Sequence, residues 1–168
     1  MDNHPPPIHI TPATERDVPV ILDLIRGLAE YERLAHVVTA TEDQLRNTLF
    51  GPRPSAEVLL ASLGAEPAGF AVFFTNYSTF FAQPGIYLED LFVKPHARGK
   101  GIGLALLWRL ARIALERGCT RMDWVVLDWN EPAVRFYKKL GAVPMDEWTT
   151  YRLSGEALEK LAAKHFVL

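Results

Sequence analysis

The sequence is poor in cysteine, in excess positive charge and in long apolar runs, which are typical of secreted, nucleic-acid-binding and membrane proteins respectively. Its 168 residues include one cysteine, Cys119, so no disulfide can form within the chain and we expect a reducing, cytoplasmic environment. The formal net charge is −2, which provides no overall positive field to attract nucleic acid or anionic lipid. No apolar run approaches the roughly 18 residues that mark a membrane helix. We therefore expect a soluble protein without a nucleic-acid or membrane partner.

Metal-binding patterns, repeats and linkers are also absent. The five histidines have no paired metal-ligand spacing, so we predict no metal site; they are His4, His9, His36, His96 and His165. Residues 1–7 form a polar, proline-rich segment, which indicates a flexible tail and not a secretory signal. Because the remaining length suits one compact core, we predict a single domain over residues 8–168.

The apolar periodicity predicts the order βααβββαβαβα. Capping pairs Thr14/Asp17 and Thr41/Gln44 mark the first two helices. The predicted strands cover residues 8–11, 57–63, 68–75, 85–93, 122–127 and 148–153. The predicted helices cover 14–31, a short segment from 41, 101–117, 130–140 and 154–165. This order favours an α/β or α+β fold, in which helices cover the faces of a sheet.

A glycine-rich segment, RGKGIG at residues 98–103, lies between a predicted strand and a long predicted helix. Glycine lets a backbone approach a ligand closely, and the first amides of a helix attract anions. Arg98 and Lys100 add positive charge, so the segment suits a pyrophosphate. Its spacing fits neither a P-loop nor the G-x-G-x-x-G dinucleotide motif. The alternative is a tight turn that merely tolerates glycine.

Two adjacent acids, Glu89 and Asp90, interrupt the apolar strand at residues 86–93. Successive side chains of a strand face opposite ways, so both acids cannot share one solvent face. Burial of a carboxylate is costly and raises its pKa towards that of a general base. The pair therefore indicates a catalytic or binding site, and the alternative is an exposed edge strand with solvated acids.

These segments resemble the GNAT superfamily of N-acetyltransferases. Residues 98–103 match its R/Q-x-x-G-x-G/A acetyl-CoA motif, and residues 130–141 (NEPAVRFYKKLG) are similar to its second signature. Residues 28–32 (LAEYE), 87–93 (YLEDLFV) and 129–132 (WNEP) resemble the diamine (spermidine/spermine) N-acetyltransferase branch. The resemblance covers nearly the whole chain. It implies a mixed, mostly antiparallel sheet that is splayed at the cofactor site and has helices on both faces.

The resemblance also implies roles for individual residues. Glu89 would be the base that deprotonates the amine, directly or through a water. Tyr137 would be the acid that protonates the departing thiolate, although an aromatic that packs its helix onto the sheet is the alternative. Polyamine binding would involve Tyr31, Glu32, Glu89 and Asp90. Acetyl-CoA would contact Leu91, Phe92, Val93, Arg98, Gly99, Lys100, Gly101, Ile102, Gly103, Leu104, Asn130 and Tyr137.

The acceptor and the assembly are less closely defined. Thr149 and Tyr151 stand where animal enzymes of the branch have an acidic residue and a tryptophan before the arginine, here Arg152, which argues against long polyamines. A shorter diamine, a lysine analogue or another primary amine remains open. The resemblance implies a homodimer. The competing functions are a peptide or protein N-acetyltransferase and a non-catalytic acyl-CoA sensor.

Overall fold

The computed structural model describes residues 6–164, which form one five-stranded sheet and five α-helices. The strands are β1 Ile8–Pro12, β2 Glu57–Leu63, β3 Glu66–Ser78, β4 Gln83–Val93 and β5 Met122–Asp123. The helices are α1 Val18–Tyr31, α2 Glu42–Phe50, α3 Ile102–Glu116, α4 Glu131–Lys139 and α5 Gly155–Ala162. Short 3₁₀ turns precede α1 and α3 and follow α1. Within residues 6–164 no helix is long and apolar enough to cross a membrane.

The sheet has the strand order β1-β2-β3-β4-β5. Its first three pairings are antiparallel, and β4 pairs with β5 in parallel over two residues only, Ile86 with Met122 and Tyr87 with Asp123. The predicted mixed, mostly antiparallel sheet is therefore confirmed. Because β4 continues six residues beyond Tyr87 and β5 ends at Asp123, the two strands part, as expected of a splayed sheet.

Helices cover both faces of this sheet. On one face, Phe70 and Val72 of β3 and Phe92 of β4 pack with Ile21 and Leu24 of α1 in a buried apolar cluster. On the other face, the guanidinium of Arg117, at the end of α3, lies 5.8 Å from the ring centre of Phe73. The apolar periodicity of α1 and α3 thus matches the two faces that these helices cover.

Most predicted elements are present, and the capping pairs are formed. The amide of Thr14 donates to Oδ2 of Asp17 at 2.7 Å, and the amide of Gln44 donates to Oγ1 of Thr41 at 3.2 Å. The hairpin at residues 57–75 and the helix after the glycine-rich turn are also confirmed. In these segments local sequence and tertiary packing favour the same conformation.

Two strand predictions are corrected. The strand predicted at 148–153 is not formed, and these residues have no strand partner in the described sheet. Alternating polarity can assign a face, but only a neighbouring strand supplies the hydrogen bonds. The strand predicted at 122–127 ends at Asp123. Residues 1–5 of the predicted tail, which include His4, lie outside the described residues. So does His165, at which the last helix was predicted to end.

The chain divides into two compact units, one up to Val125 and one from Val126 onward. The first contains the whole sheet with α1, α2 and α3. The second contains α4 and α5. The acidic strand and the glycine-rich turn belong to the first unit, whereas Asn130 and Tyr137 belong to the second. The single domain over residues 8–168 stays a prediction.

Candidate active site

A β-bulge in β4 separates the two acids of the apolar strand. Val72 of β3 pairs with Asp90, whereas the next residue, Phe73, pairs with Leu88, so Glu89 is the extra residue. Directly paired side chains point to the same face. Leu88 therefore shares a face with Phe73, and Asp90 shares the opposite face with Val72. The bulge re-aims the strand, as bulges near functional sites do.

The bulge gives the two carboxylates different environments. Glu89 is exposed, whereas Asp90 is half-buried on the face covered by α1. The pKa of Asp90 is raised from its ordinary 3.8 to about 6, chiefly by burial and in addition by the nearby charges of Glu89 and Glu32. Burial also raises the pKa of Glu32, which follows the last residue of α1. The charges of Glu32 and Glu89 thus act on Asp90, and Asp90 is the carboxyl group whose pKa is raised to about 6.

Past the bulge, β4 directs backbone groups towards its open edge. The amide of Lys94 donates to the carbonyl of Ala68 at 2.8 Å, which makes this a hydrogen-bonded pair. Hydrogen-bonded and non-hydrogen-bonded pairs alternate in an antiparallel ladder, so Val93 and Leu91 direct their N–H and C=O groups away from β3.

Phe92 belongs to the other half of that alternation. A Cβ built on Gly69 would lie 2.5 Å from the carbonyl oxygen of Phe92, so this carbonyl faces β3. Of the three residues predicted to hold the cofactor through their backbone, Leu91 and Val93 thus have groups on the side where β5 has ended. The backbone of Phe92 is directed into the ladder, and its ring is buried beneath α1.

The glycine-rich turn leads from β4 into α3 with an open backbone. Gly99 and Gly101 have φ angles of 74° and 87°, in the left-handed region that favours glycine, and a Cβ at either would meet no atom within 4 Å. Gly101 is the N-cap of α3 and, having no side chain, leaves the first helical amides uncapped. The next three amides, of Ile102, Gly103 and Leu104, have no intrahelical acceptor. Such amides, at the positive end of the helix dipole, can bind an anion.

The basic side chains of the turn are arranged differently from one another. Lys100 is exposed beside the two glycines. The Nε of Arg98 donates to the carbonyl oxygen of Val93 at 2.9 Å. Its guanidinium carbon lies 4.3 Å from the ring centre of Tyr31 and 5.7 Å from that of Phe92. The side chain of Arg98 is therefore directed towards the end of α1.

The second unit contains the other two candidate residues. Asn130 is the N-cap of α4, and its side-chain oxygen accepts from the amide of Ala133 at 3.4 Å, as the N-cap prediction requires. Tyr137 is half-buried on the same helix, and its ring centre lies 5.4 Å from that of Phe136. The catalytic and cofactor-binding roles of both residues stay predictions.

A polar network at the paired end of β4 and β5 was missed at the level of the sequence. The side-chain amide of Asn76 on β3 donates to Oδ2 of Asp123 on β5 at 3.0 Å, and the same oxygen lies 2.9 Å from Nε of Arg121. Gly85 on β4 lies between these strands, and a Cβ there would overlap the side-chain oxygen of Asn76. The network crosses β4 at the end where β4 and β5 are paired. A glycine in an otherwise apolar strand was its only sequence signal.

The comparisons with known proteins agree with this geometry. Residues 23–142 match the model of the Acetyltransferase (GNAT) family. The chain belongs to the GNAT acetyltransferase family. It is 40% identical to thialysine N-epsilon-acetyltransferase of Bos taurus over 94% of this chain and 98% of that protein. It is 34% identical to L-ornithine N5-acetyltransferase of Arabidopsis thaliana over 89% of this chain and 85% of that protein.

The solved structures contain the same fold. An integron cassette protein from the mobile metagenome of V. cholerae superposes with a TM-score of 0.77 at 31% identity, over 94% of this chain and 98% of that one. The family, fold class and activity predicted from the sequence are confirmed: the chain is a GNAT N-acetyltransferase. The thialysine enzymes belong to the spermidine/spermine acetyltransferase branch, so the resemblance to that branch is confirmed as well.

GNAT acetyltransferases use acetyl-CoA, and the residues of the first unit fit that molecule. The open edge of β4 at Leu91 and Val93 suits an extended pantetheine arm, which can pair with it as an added strand would. The uncapped amides and the empty space at Gly99 and Gly101 suit a diphosphate. Among residues 6–164 no group of three His, Cys, Asp or Glu side chains could hold a metal ion.

Proposed function

We propose that this enzyme acetylates the terminal primary amine of a small molecule that carries a second ammonium group, such as a lysine-like amino acid or a short diamine. The supporting observation is the group of three carboxylates beside the open edge of β4, namely Glu32, Glu89 and Asp90. The names of the thialysine and ornithine relatives both specify a side-chain amine of an amino acid.

Electrostatics favours a cationic acceptor at these carboxylates. The charges of Glu89 and Glu32 oppose the ionisation of Asp90, so the three groups repel one another when all are ionised. An ammonium group bound among them offsets this repulsion, whereas a neutral or anionic acceptor does not. A short acceptor is favoured because Thr149 and Tyr151 replace the acidic residue and the tryptophan that the polyamine enzymes have there.

The donor would be held along β4 and at the start of α3. In this proposal the backbone of Leu91 and Val93 binds pantetheine, and Phe92 between them fixes the strand through its pairing with β3 and its buried ring. The amides of the glycine-rich turn bind the diphosphate, with Lys100 as a side-chain cation and Asn130 nearer the pantetheine. The other residues proposed to bind the diphosphate are Arg98, Gly99, Gly101, Ile102, Gly103 and Leu104. Acetyl-CoA, when bound, supplies an activated thioester acetyl group.

Proton transfers define the catalytic roles. An alkyl amine with a pKa of about 10.4 is almost wholly protonated at pH 7 and cannot attack a carbonyl carbon. Glu89, directly or through a water, removes one ammonium proton, and the nitrogen forms its bond to the acetyl carbon as the carbon–sulfur bond breaks. Tyr137 gives its hydroxyl proton to the departing thiolate. The second proton, which the nitrogen loses as the amide forms, restores the tyrosine hydroxyl through water, so the products are the amide, the CoA thiol and one proton held by Glu89. Asp90, Glu32 and Tyr31 hold the cationic acceptor.

Asp90 is a second candidate for the base, because its raised pKa of about 6 suits proton transfer near neutrality. Glu89→Gln and Asp90→Asn distinguish the two roles by steady-state kinetics. Loss of the base lowers kcat by about 10²–10⁴-fold, whereas loss of an ammonium ligand chiefly raises KM for the amine. We expect the first result for Glu89→Gln and the second for Asp90→Asn. The reverse result would exchange the two assignments.

The proposed substrate class is tested by mixing the purified chain with acetyl-CoA and a panel of amines while released thiol is measured. The panel contains thialysine, lysine, ornithine, putrescine, spermidine, spermine, an aminoglycoside and a peptide with a free N terminus. We expect the highest kcat/KM among the short dicationic acceptors, with acetylation of the terminal amine confirmed by mass spectrometry. A preference for the peptide or the aminoglycoside would contradict the proposal.

A homodimer and a cytoplasmic location belong to the same proposal, and light scattering tests the former.

A further inference from the structure

We infer that the side chain of Arg98 is a positioning group that joins the open edge of β4 to the end of α1, and that it is not a ligand of the cofactor diphosphate. This inference rests on the proposed function, because it assigns how the donor and acceptor halves of that site are held together. The backbone of Arg98 keeps its proposed place in the turn.

The first contact of Arg98 fixes the end of the strand. Its Nε donates to the carbonyl oxygen of Val93 at 2.9 Å, and this carbonyl lies on the side of β4 that β5 no longer covers. The amide of the same peptide unit, that of Lys94, donates to the carbonyl of Ala68 at 2.8 Å, so this unit is bound on both sides. The bond from Arg98 thus holds the end of β4 extended, next to the amide of Val93 that would face the pantetheine arm.

The second contact reaches the acceptor side. The guanidinium of Arg98 stacks over the ring of Tyr31, 4.3 Å from its centre, and is within 5.7 Å of the ring centre of Phe92. Arginine favours such aromatic faces because its planar cation is weakly hydrated. Tyr31 is the last residue of α1, and Glu32, the next residue, is one of the acids whose charge acts on Asp90. One side chain thus connects the donor strand with the acidic group.

A diphosphate ligand would need a different geometry. In the structure the guanidinium lies over the ring of Tyr31 and its Nε is bound to the carbonyl oxygen of Val93, so its position is set by contacts with α1 and β4. Lys100, two residues along, is exposed and already supplies a cation beside Gly99 and Gly101. The stacked position of Arg98 therefore has a structural use that charge neutralisation does not explain.

Two acetyl donors separate the alternatives. Acetyl-CoA carries the diphosphate and S-acetylpantetheine does not, but both occupy the open edge of β4 in the proposed site. For Arg98→Met and Arg98→Lys we expect kcat/KM to fall about ten- to a hundredfold, by the same factor with both donors, because the fault is misplacement of the strand and of α1. Arg98→Lys retains the charge but not the Nε bond or the planar stack, so it should not rescue activity.

The coupling to Tyr31 is the second readout. If the two residues act as one unit, Tyr31→Leu combined with Arg98→Met will lose little more kcat/KM for the acetyl donor than Arg98→Met alone, measured at saturating amine so that weaker acceptor binding does not contribute. Lys94→Met is the matched control, since Lys94 joins the same turn to α1 through an exposed ion pair of 2.9 Å with Asp23. Such exposed pairs contribute little, so this variant should stay within about twofold of the parent with either donor.

Each outcome bears on the inference. An equal loss with both donors, without rescue by lysine, supports it. A loss confined to acetyl-CoA, restoration by Arg98→Lys, or no loss with either donor would overturn it. Circular dichroism and thermal melting of each variant identify any that do not fold, and the lysine variant then decides. If the parent chain acetylates no amine with either donor, the proposed function itself fails, which is a separate result.

Discussion

Asp90 shows how a single backbone irregularity changes the chemistry of a residue. Without the extra residue at Glu89, strand alternation would place Asp90 on the same face as Leu88, which α3 covers. The bulge instead turns Asp90 towards α1 and Glu32, where burial and two neighbouring negative charges oppose its ionisation. The folded chain therefore binds a proton at Asp90 more tightly than the unfolded chain does.

This proton linkage predicts how Asp90→Asn changes stability. The pKa of Asp90 is about 6 in the folded chain and near its ordinary 3.8 when the chain unfolds, so between these values the folded state binds more protons. The contribution of Asp90 to stability is thus fully present below pH 3.8 and is lost as the pH rises through about 6. Asparagine does not ionise, so Asp90→Asn should gain stability relative to the parent from pH 4 to pH 7. Urea denaturation across that range measures the difference.

The difference in stability between Asp90→Asn and the parent at pH 7 decides this prediction. If Asp90→Asn is no more stable relative to the parent at pH 7 than at pH 4, the carboxylate is not held against its ionisation. A gain at pH 7 together with a higher KM for the amine would mean that stability is given up for acceptor binding, as is common at functional sites.

The hydroxyl of Tyr137 can be removed without removing its ring. Tyr137→Phe keeps the ring on α4 but removes the hydroxyl that is proposed to protonate the thiolate. We expect kcat to fall by about 10²–10⁴-fold while the Kd of CoA stays nearly constant, because a proton donor acts in the transition state. Tyr77→Phe is a matched control, since the Tyr77 side chain is 62% exposed on β3 and has no assigned role. An unaltered rate for Tyr137→Phe would leave packing as the role of this ring.

Among the elements, those with strong local signals were predictable from the sequence. The capping pairs at Thr14 and Thr41 and the hairpin between β2 and β3 depend on neighbouring residues, and the left-handed glycines at 99 and 101 depend on steric rules alone. The site's residues were found in the same way, by an anion-binding turn and by acids in an apolar strand.

The features that escaped prediction depend on partners distant in sequence. The exact position of the bulge, Glu89, depends on the register of β3, and the orientation of Arg98 depends on Tyr31, which lies 67 positions earlier. The strand predicted at 148–153 has no partner strand in the described sheet. β5 ends at Asp123, which pairs with Tyr87, two residues before the bulge at Glu89. Local patterns therefore located the chemistry, and tertiary pairing determined its geometry.

A substitution in the glycine-rich turn tests whether this turn binds the diphosphate. Gly101→Ala places a side chain at a φ of 87°, which costs about 1–2 kcal/mol for a non-glycine residue, and fills the space proposed for the diphosphate. Gly118→Ala is the matched control, because Gly118 has a φ of 68° and open surroundings at the other end of α3. We expect similar losses of stability in both variants by urea denaturation. Only Gly101→Ala should raise KM for acetyl-CoA, and an equal rise in both would contradict the assignment of this site.

For the whole molecule, the central question is how two compact units serve one reaction. The unit up to Val125 contains the open edge, the acids and the anion-binding turn, whereas the unit from Val126 onward contains Asn130 and Tyr137. The proposed mechanism needs both units, because the base lies in the first and the acid in the second. If residues 8–168 act as a single domain, as the sequence predicts, we expect both units to unfold together when CoA is bound.

The tryptophans allow this implication to be tested without truncating the chain. Trp108 and Trp124 lie in the first unit, and Trp129 and Trp148 lie in the second. Protein labelled with 5-fluorotryptophan gives one ¹⁹F signal for each, assigned by single Trp→Phe variants and followed during urea denaturation. With CoA at 100 times its Kd, we expect all four signals to report the same transition, stabilised by about 2.7 kcal/mol. If CoA shifts the signals of Trp108 and Trp124 but not those of Trp129 and Trp148, the second unit does not bind the cofactor, and Tyr137 loses its place in the reaction.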